Sequence, residues 1–372
     1  MKILYYFPEY PSNMFFWQRI HIINELEHYG VTVKTFNPLT FTSMEEANEQ
    51  FVKEMTESKY DLLLSSTCYE KMIFESTLEA ARRIGLPSMC IRWDNLIVPY
   101  SDKHLASQFD LIWLTSHETE YLYKKWGANT IFLPYAANPF SFVYCQTELL
   151  KKACFIGTPY GSRSIMINSL TRNNIDVDVF CGKNVTSNSE FLPRIDIKTE
   201  YVHLPSYMLQ FNNFRFKQGR KLLLGKLANK LRGSIKIEDN VHLTRFPSCM
   251  FEEISNNYSK YSLCLSSTST HHTDALKNPL KVINLRAFEI PMSGGITICK
   301  YNEELAQYFE DKKEIIFYDT NEDLIEKASY YINNASDVSL YRMKQAARKR
   351  AEGEHTWWNR FNKAFELLGI NV

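Results

Sequence analysis

Two periodicities alternate along this chain. Short runs in which nearly every residue is apolar are separated by longer stretches in which apolar residues recur every three or four positions. KILYYF, VTVKTFN, DLLLSST, PSMCIRW, FDLIWLTS and TIFLPYA are the runs of the first 136 residues. A strand covered on both faces reads as such a run, because neither side of its pleat meets water. Between them, FFWQRIHIINELEHYG, EKMIFESTLEAARRIG and SHETEYLYKKWG carry the helical period. Each closes on a glycine, Gly30, Gly85 or Gly127, the residue that most readily takes the left-handed turn after a helix. Strands alternating with helices predict a parallel sheet with crossover helices.

The pattern then restarts. KKACFIGTPYGSRSIMINSLTRNN reads as strand, glycine loop and helix, and IDVDVFCG, VHLTRFP, YSLCLSS, GITICK and EIIFYD as further strands. Helices are predicted at about 249–260, 279–290, 302–309 and 321–333. The stretch NPFSFVYCQTELLKK (138–152) follows neither period and marks a boundary. The expected fold is α/β with two Rossmann-like domains, residues 1–142 and 150–345, followed by a carboxyl-terminal helical segment, 346–372. A pair of such sheets would face each other across a cleft at the carboxyl ends of their strands, where ligands of open α/β sheets bind.

Composition narrows the partners. Of 372 residues, 45% are apolar and 23% charged, and the formal net charge is +1. That balance is ordinary for a globular protein and gives no global attraction to nucleic acid. The eight cysteines are scattered without a CxxC or a metal-ligand spacing, so they read as reduced, buried side chains. MKILYYFPEY is too short an apolar run for a signal peptide, and no segment approaches 18 apolar residues, so a cytoplasmic protein is expected. One segment stands apart. FRFKQGRKLLLGKLANKLRG (214–233) holds seven Lys or Arg, no acid, and several leucines. It fits a helix lying on an anionic membrane surface, one binding a phosphate-bearing lipid, or a solvated basic helix.

Candidate chemistry gathers in LRAFEIPMSGG (285–295). Arg286 and Glu289 are three apart and share a helical face. A carboxylate there can accept two hydrogen bonds from a ribose diol, and a guanidinium can meet a phosphate with two donors. Gly294 and Gly295 permit close backbone approach. FIGTPYGSR (155–163) is a strand-to-helix loop in which Gly157 and the first-turn Arg163 suit a phosphate at a helix N-terminus. The loop SSTSTHHTDALKNP (266–279) adds hydroxyls, His271, His272, Asp274 and Lys277. No third ligand accompanies its two histidines and aspartate, so no metal site is expected.

Residues 245–365, from the arginine-glutamate helix through EELAQYFEDKKEIIFYD to EHTWWNRF, resemble the carboxyl-terminal part of bacterial group 1-type glycosyltransferases, most closely a CgeB-like branch. The pattern R-x-F-E-x-x-x-x-G-G, E-I-x-x-Y, Y-Y and H-T-x-x-x-R is specific as a set. The resemblance implies a GT-B fold, a nucleotide-sugar donor held mainly by the second domain, and chemistry that needs no metal or other cofactor. It gives Glu289 the donor ribose. The preceding glutamate of the family's E-x7-E pair falls on Lys281, which is expected either to contact a donor phosphate or to face solvent, a departure that bears on the sugar contact and the stereochemistry. The diphosphate falls to Arg163, Arg286 and backbone near Gly157 and Gly294, and the base to the strand end at Arg245 and Phe246. The last helix would cross back to the first domain, with Trp357 and Trp358 packing there and His355 structural.

An acceptor hydroxyl needs a base. Asp94, just after the strand PSMCIRW, and His117, after FDLIWLTS, are the candidates, with Glu9, Tyr10 and Glu118 at other strand ends. The expected function is transfer of a sugar from a nucleotide-sugar to a hydroxyl of a bacterial surface glycan or a lipid-linked acceptor, at the inner face of the membrane. Alternatives are a sugar epimerase on the same fold, or a silent member that binds nucleotide-sugar or glycan.

Overall fold

The computed structural model describes residues 1–182, 211–270 and 272–371. Among these, the chain forms two compact units. One holds residues 1–134, 211–223 and 357–371; the other holds 135–182, 224–270 and 272–356.

In the first unit, β1 (Lys2–Tyr6), β2 (Thr32–Phe36), β3 (Leu62–Ser65), β4 (Ser88–Arg92), β5 (Leu111–Leu114) and β6 (Thr130–Phe132) make one sheet in the order β2-β1-β3-β4-β5-β6. Every pairing is parallel. β3 and β5 are buried along their whole length, which is why they read as unbroken apolar runs. The expected first helix is α-helical from Asn13 to Gln18, widens to a π turn over Arg19–Ile23 and ends at His28. Helix Met44–Glu57 has no counterpart among the sequence-predicted elements. It buries Met44, Ala47, Phe51 and Met55, a spacing of three and four that its many charged residues mask.

Two buried clusters organise this unit. Arg92 Nε lies 2.7 Å from Asp102 Oδ2, and the same oxygen accepts from the Tyr123 hydroxyl at 2.5 Å. The Asp102 side chain is wholly buried, so its charge is balanced by Arg92 and by hydrogen bonds instead of water. Trp357, also fully buried, packs within 5.7–6.1 Å, ring to ring, of Trp17, Trp93 and Trp113. Trp358 stacks on Tyr29 at 4.3 Å, and its backbone N–H donates to Glu25 at 2.7 Å. The closing helix Trp357–Leu367 is thereby part of the first unit's core.

In the second unit, β7 (Leu150–Ile156), β8 (Val177–Phe180), β9 (Leu243–Phe246), β10 (Tyr261–Leu265), β11 (Thr297–Lys300) and β12 (Ile315–Tyr318) run parallel in the order β12-β11-β10-β7-β8-β9. The helix expected at 279–290 is displaced. Residues 279–284 are not helical, with Lys281 bridging Ser269 in antiparallel fashion, and the helix spans Arg286–Met292. Pro291 lies inside that helix. The backbone turns out of it only at Ser293 and Gly294, where the N–H groups return to Glu289 and Pro291. Among the described residues no helix is long and apolar enough to cross a membrane.

Candidate active site

Counted from β7, the second sheet runs 3-2-1-4-5-6, the doubly wound order whose direction of winding reverses between strands 1 and 4. Here that point lies between β7 and β10. Outside their carboxyl ends the two crossovers diverge and leave room for a ligand. Gly157 follows β7 and Ser266 follows β10.

The loop after β7 is built for close approach. Gly157 sits at φ 131° and Gly161 at φ 50°, backbone that β-carbon-bearing residues avoid. Gly161 caps helix Ser162–Thr171, and among the described residues no side chain caps that N-terminus. The Arg163 N–H turns back to the Tyr160 carbonyl at 3.0 Å, and the positive end of the helix dipole favours an anion there.

Two guanidiniums converge on this loop. Arg286 Nε donates to the Ile156 carbonyl at 2.8 Å. Its Nη2 comes so close to Gly157 that a β-carbon there would lie 2.3 Å away. Arg163 donates to the Thr158 carbonyl at 3.1 Å and lies 4.2 Å over the Tyr160 ring. Burial, followed by the Arg286 charge, lowers the Arg163 pKa to about 10. Both guanidiniums also face the Phe155 ring. Among the described residues neither makes a salt bridge. Two like charges held together in a half-buried loop repel, and the repulsion is relieved when an anion binds.

Glu289 is 6% exposed, in the middle of helix Arg286–Met292. Burial raises the Tyr258 phenol well above its ordinary range, and the neighbouring Glu289 charge adds to the rise. The helix end is held by Arg348, which donates to the carbonyls of Phe142, Met292 and, at 3.1 Å, Pro139. Gly294, at φ 69°, lies under Tyr144, whose Cδ2 would be 2.2 Å from an added β-carbon. Gly294→Ala should therefore cost about 1–3 kcal/mol of stability from strain and overpacking, measurable as a lower midpoint in urea. Gly295 is closed off by Ile290 and Cys264. It is a packing glycine.

The loop after β10 supplies the opposite wall. Ser162 and Ser267 hydroxyls are 3.1 Å apart, and Asn284 donates to the Ser267 carbonyl at 2.7 Å. Among the described residues, buried Ser266 Oγ, Asn284 Oδ1 and Arg163 Nε have no hydrogen-bond partner, which suits a site whose polar groups await a ligand. Asp274 was not among the sequence-predicted phosphate contacts. Its carboxylate sits directly against Gly161, 2.4 Å from the position of an added β-carbon, and is paired with Arg232 at 2.9 Å. His272 lies in the same loop, at φ 69°. His271 lies outside the described residues. Among the described residues no cluster of three His, Cys, Asp or Glu could hold a metal.

Other sequence-predicted residues have different surroundings. Lys281, exposed and not helical, donates to the Tyr301 carbonyl at 3.1 Å. The Arg245 side chain pairs with Asp239 at 2.7 Å, and Phe246 stacks on Phe180 at 4.9 Å. Both lie at the end of β9, where Phe180, Phe246, Cys249 and Met250 line a hollow of about 600 Å³. In the first unit, Asp94 is exposed in a left-handed turn at φ 49°. His117 opens a short 3-10 turn, about half-exposed, with Nδ1 4.0 Å from Glu118. Glu9 is buried and paired with Arg19 at 2.5 Å, so it is already engaged.

Residues 239–366 match a family model described as glycosyl transferase-like. This span is a glycosyltransferase-like domain, and it contains Arg286 and Glu289. No curated protein matches the chain. Among solved structures, Anabaena HepE in complex with UDP and glucose aligns at 12% identity and TM-score 0.56 over 99% of each chain. Sucrose-phosphate synthase of Thermosynechococcus elongatus aligns at 11% and 0.55, over 99% of this chain and 98% of that one. A glycosyltransferase from Rickettsia africae aligns at 10% and 0.57, over 99% and 97%. At such identities the shared property is the fold, and it is GT-B.

Proposed function

We propose that the protein is a glycosyltransferase that moves a sugar from a nucleotide-sugar donor to a hydroxyl acceptor. The observation that carries the reading is the pair Arg163 and Arg286. Both lie against a glycine loop and a helix N-terminus without a side-chain cap among the described residues, at the switch point of the second sheet, with the buried carboxylate of Glu289 on the same helix as Arg286. A nucleoside diphosphate is the ligand that needs these together: two cations and backbone donors for the diphosphate, a carboxylate for the ribose diol. The base would lie toward the hollow at Phe246. That HepE is described in complex with UDP-glucose supports a donor of this class. The motif order from Arg286 to Arg360 favours a CgeB-like branch.

During transfer the diphosphate gains negative charge as the glycosidic bond breaks. Fixed donors that are already desolvated stabilise that charge without reorganising. Arg163, Arg286 and the N–H groups at Gly161–Ser162 would perform that role with no metal required. Asp94 or His117 is the base we assign to the acceptor, a bacterial glycan or lipid-linked hydroxyl. Lys281, on the Tyr301 carbonyl, supplies no carboxylate to the donor sugar, which leaves a second reading: a member that binds nucleotide-sugar without transfer.

Assay of a nucleotide-sugar panel with and without acceptor separates the two. Release of nucleotide that requires acceptor supports transfer; binding without turnover supports the second. Glu289→Ala should weaken nucleotide-sugar binding by roughly 1.5–3 kcal/mol, the range for hydrogen bonds to a charged group. Titration calorimetry returning the wild-type affinity would remove Glu289 from the site.

A further inference from the structure

Helix Lys217–Arg232 has two different faces. The inner one is closely packed. Leu222 is buried, and Gly225 lies against the backbone of His272 and Thr273. Asn229 meets His272 Nδ1 at 3.1 Å, and Arg232 pairs with Asp274. The outer face carries Leu224, Leu227 and Leu231, which are 57%, 56% and 81% exposed. Their spacing of three and four puts them in one stripe. Exposed Lys226 and Lys230 flank it. No acid occurs anywhere from residue 214 to residue 233.

We infer that this face docks on an anionic lipid bilayer. Three leucines held out in water have no reason to be there in a helix meant only for solvent. A rim of cations without a single acid suits a negatively charged surface, and the leucines suit the acyl boundary beneath it. Nucleic acid would use the cations but give the leucines nothing to bury against. The inner face grips the loop that sets Asp274 beside Gly161, so bilayer docking and the candidate donor loop share one helix. The binding itself does not depend on the transfer reaction.

The full chain is sedimented with phosphatidylcholine vesicles and with vesicles that also contain phosphatidylglycerol. Wild type should pellet with the anionic vesicles only. Lys226→Glu with Lys230→Glu should lower partitioning by roughly thirtyfold or more, at about 1 kcal/mol for each basic side chain near the surface. Leu224→Ser, Leu227→Ser and Leu231→Ser together should abolish the binding that survives high salt. Nucleoside diphosphate affinity and melting temperature serve as controls for folding, and both should stay at wild-type values. Equal pelleting of wild type with both vesicle types, or of variants and wild type with anionic vesicles, overturns the proposal. So does duplex DNA binding that matches vesicle binding. A lipid-free dimer that the leucine substitutions convert to monomer in sedimentation velocity would instead make this a self-association face.

Discussion

Arg286→Ala should raise the dissociation constant for a nucleotide-sugar about a hundredfold. A guanidinium that meets a diphosphate with two donors contributes about 3 kcal/mol through charge-assisted hydrogen bonds, and each 1.4 kcal/mol is about tenfold. The side chain is already fixed by its bond to the Ile156 carbonyl and its seat over Phe155, so little ordering cost accompanies binding. Arg286→Lys keeps the charge and loses the fork, and should fall between the two. The same substitution to alanine removes the charge that depresses Arg163, whose pKa should then rise. Titration calorimetry reads the affinity; an unchanged value would separate Arg286 from the donor.

The second large effect belongs to the first unit. Asp102→Ala should lower unfolding stability by about 3–5 kcal/mol, the usual consequence of leaving one member of a buried ion pair alone. Arg92 would keep its charge among apolar neighbours, and Tyr123 and Ser101 would lose an acceptor. Asp102→Asn retains an acceptor and should cost less. Urea unfolding followed by Trp fluorescence measures it; a loss below about 1 kcal/mol would mean water reaches Arg92. Nucleotide affinity should be retained, because the donor residues belong to the other unit.

The strands were the most readable part of this chain. LLLS, LIWL and IIFY are buried on both faces, so apolar runs and strands coincide. Helices were less so. Met44–Glu57 buries only one apolar residue per turn and reads as a charged stretch. Residues 279–285 carry Leu280 and Ile283 at a helical spacing, yet Lys281 pairs with Ser269, a partner twelve positions away that periodicity cannot see. The predicted helix stops at residue 290, before Pro291, although the helix runs on to Met292 and turns at Ser293.

At the site, Arg286 and Glu289 were legible because residue type and spacing lie within one helical turn. Their meeting with Arg163 was not legible as geometry, since 123 positions separate the two arginines and only the sheet order brings β7 beside β10. Asp274 was read as one polar residue among many in its loop. Its place at Gly161, and its pairing with Arg232 from the basic helix, are products of tertiary packing.

The most direct measurement is a crystal structure of the protein soaked with a panel of nucleoside diphosphates. Density is expected with the diphosphate against Gly157, Gly161 and the Arg163 and Arg286 guanidiniums, and with the ribose diol on Glu289. A diphosphate bound elsewhere, or a ribose with no contact to Glu289, would contradict it.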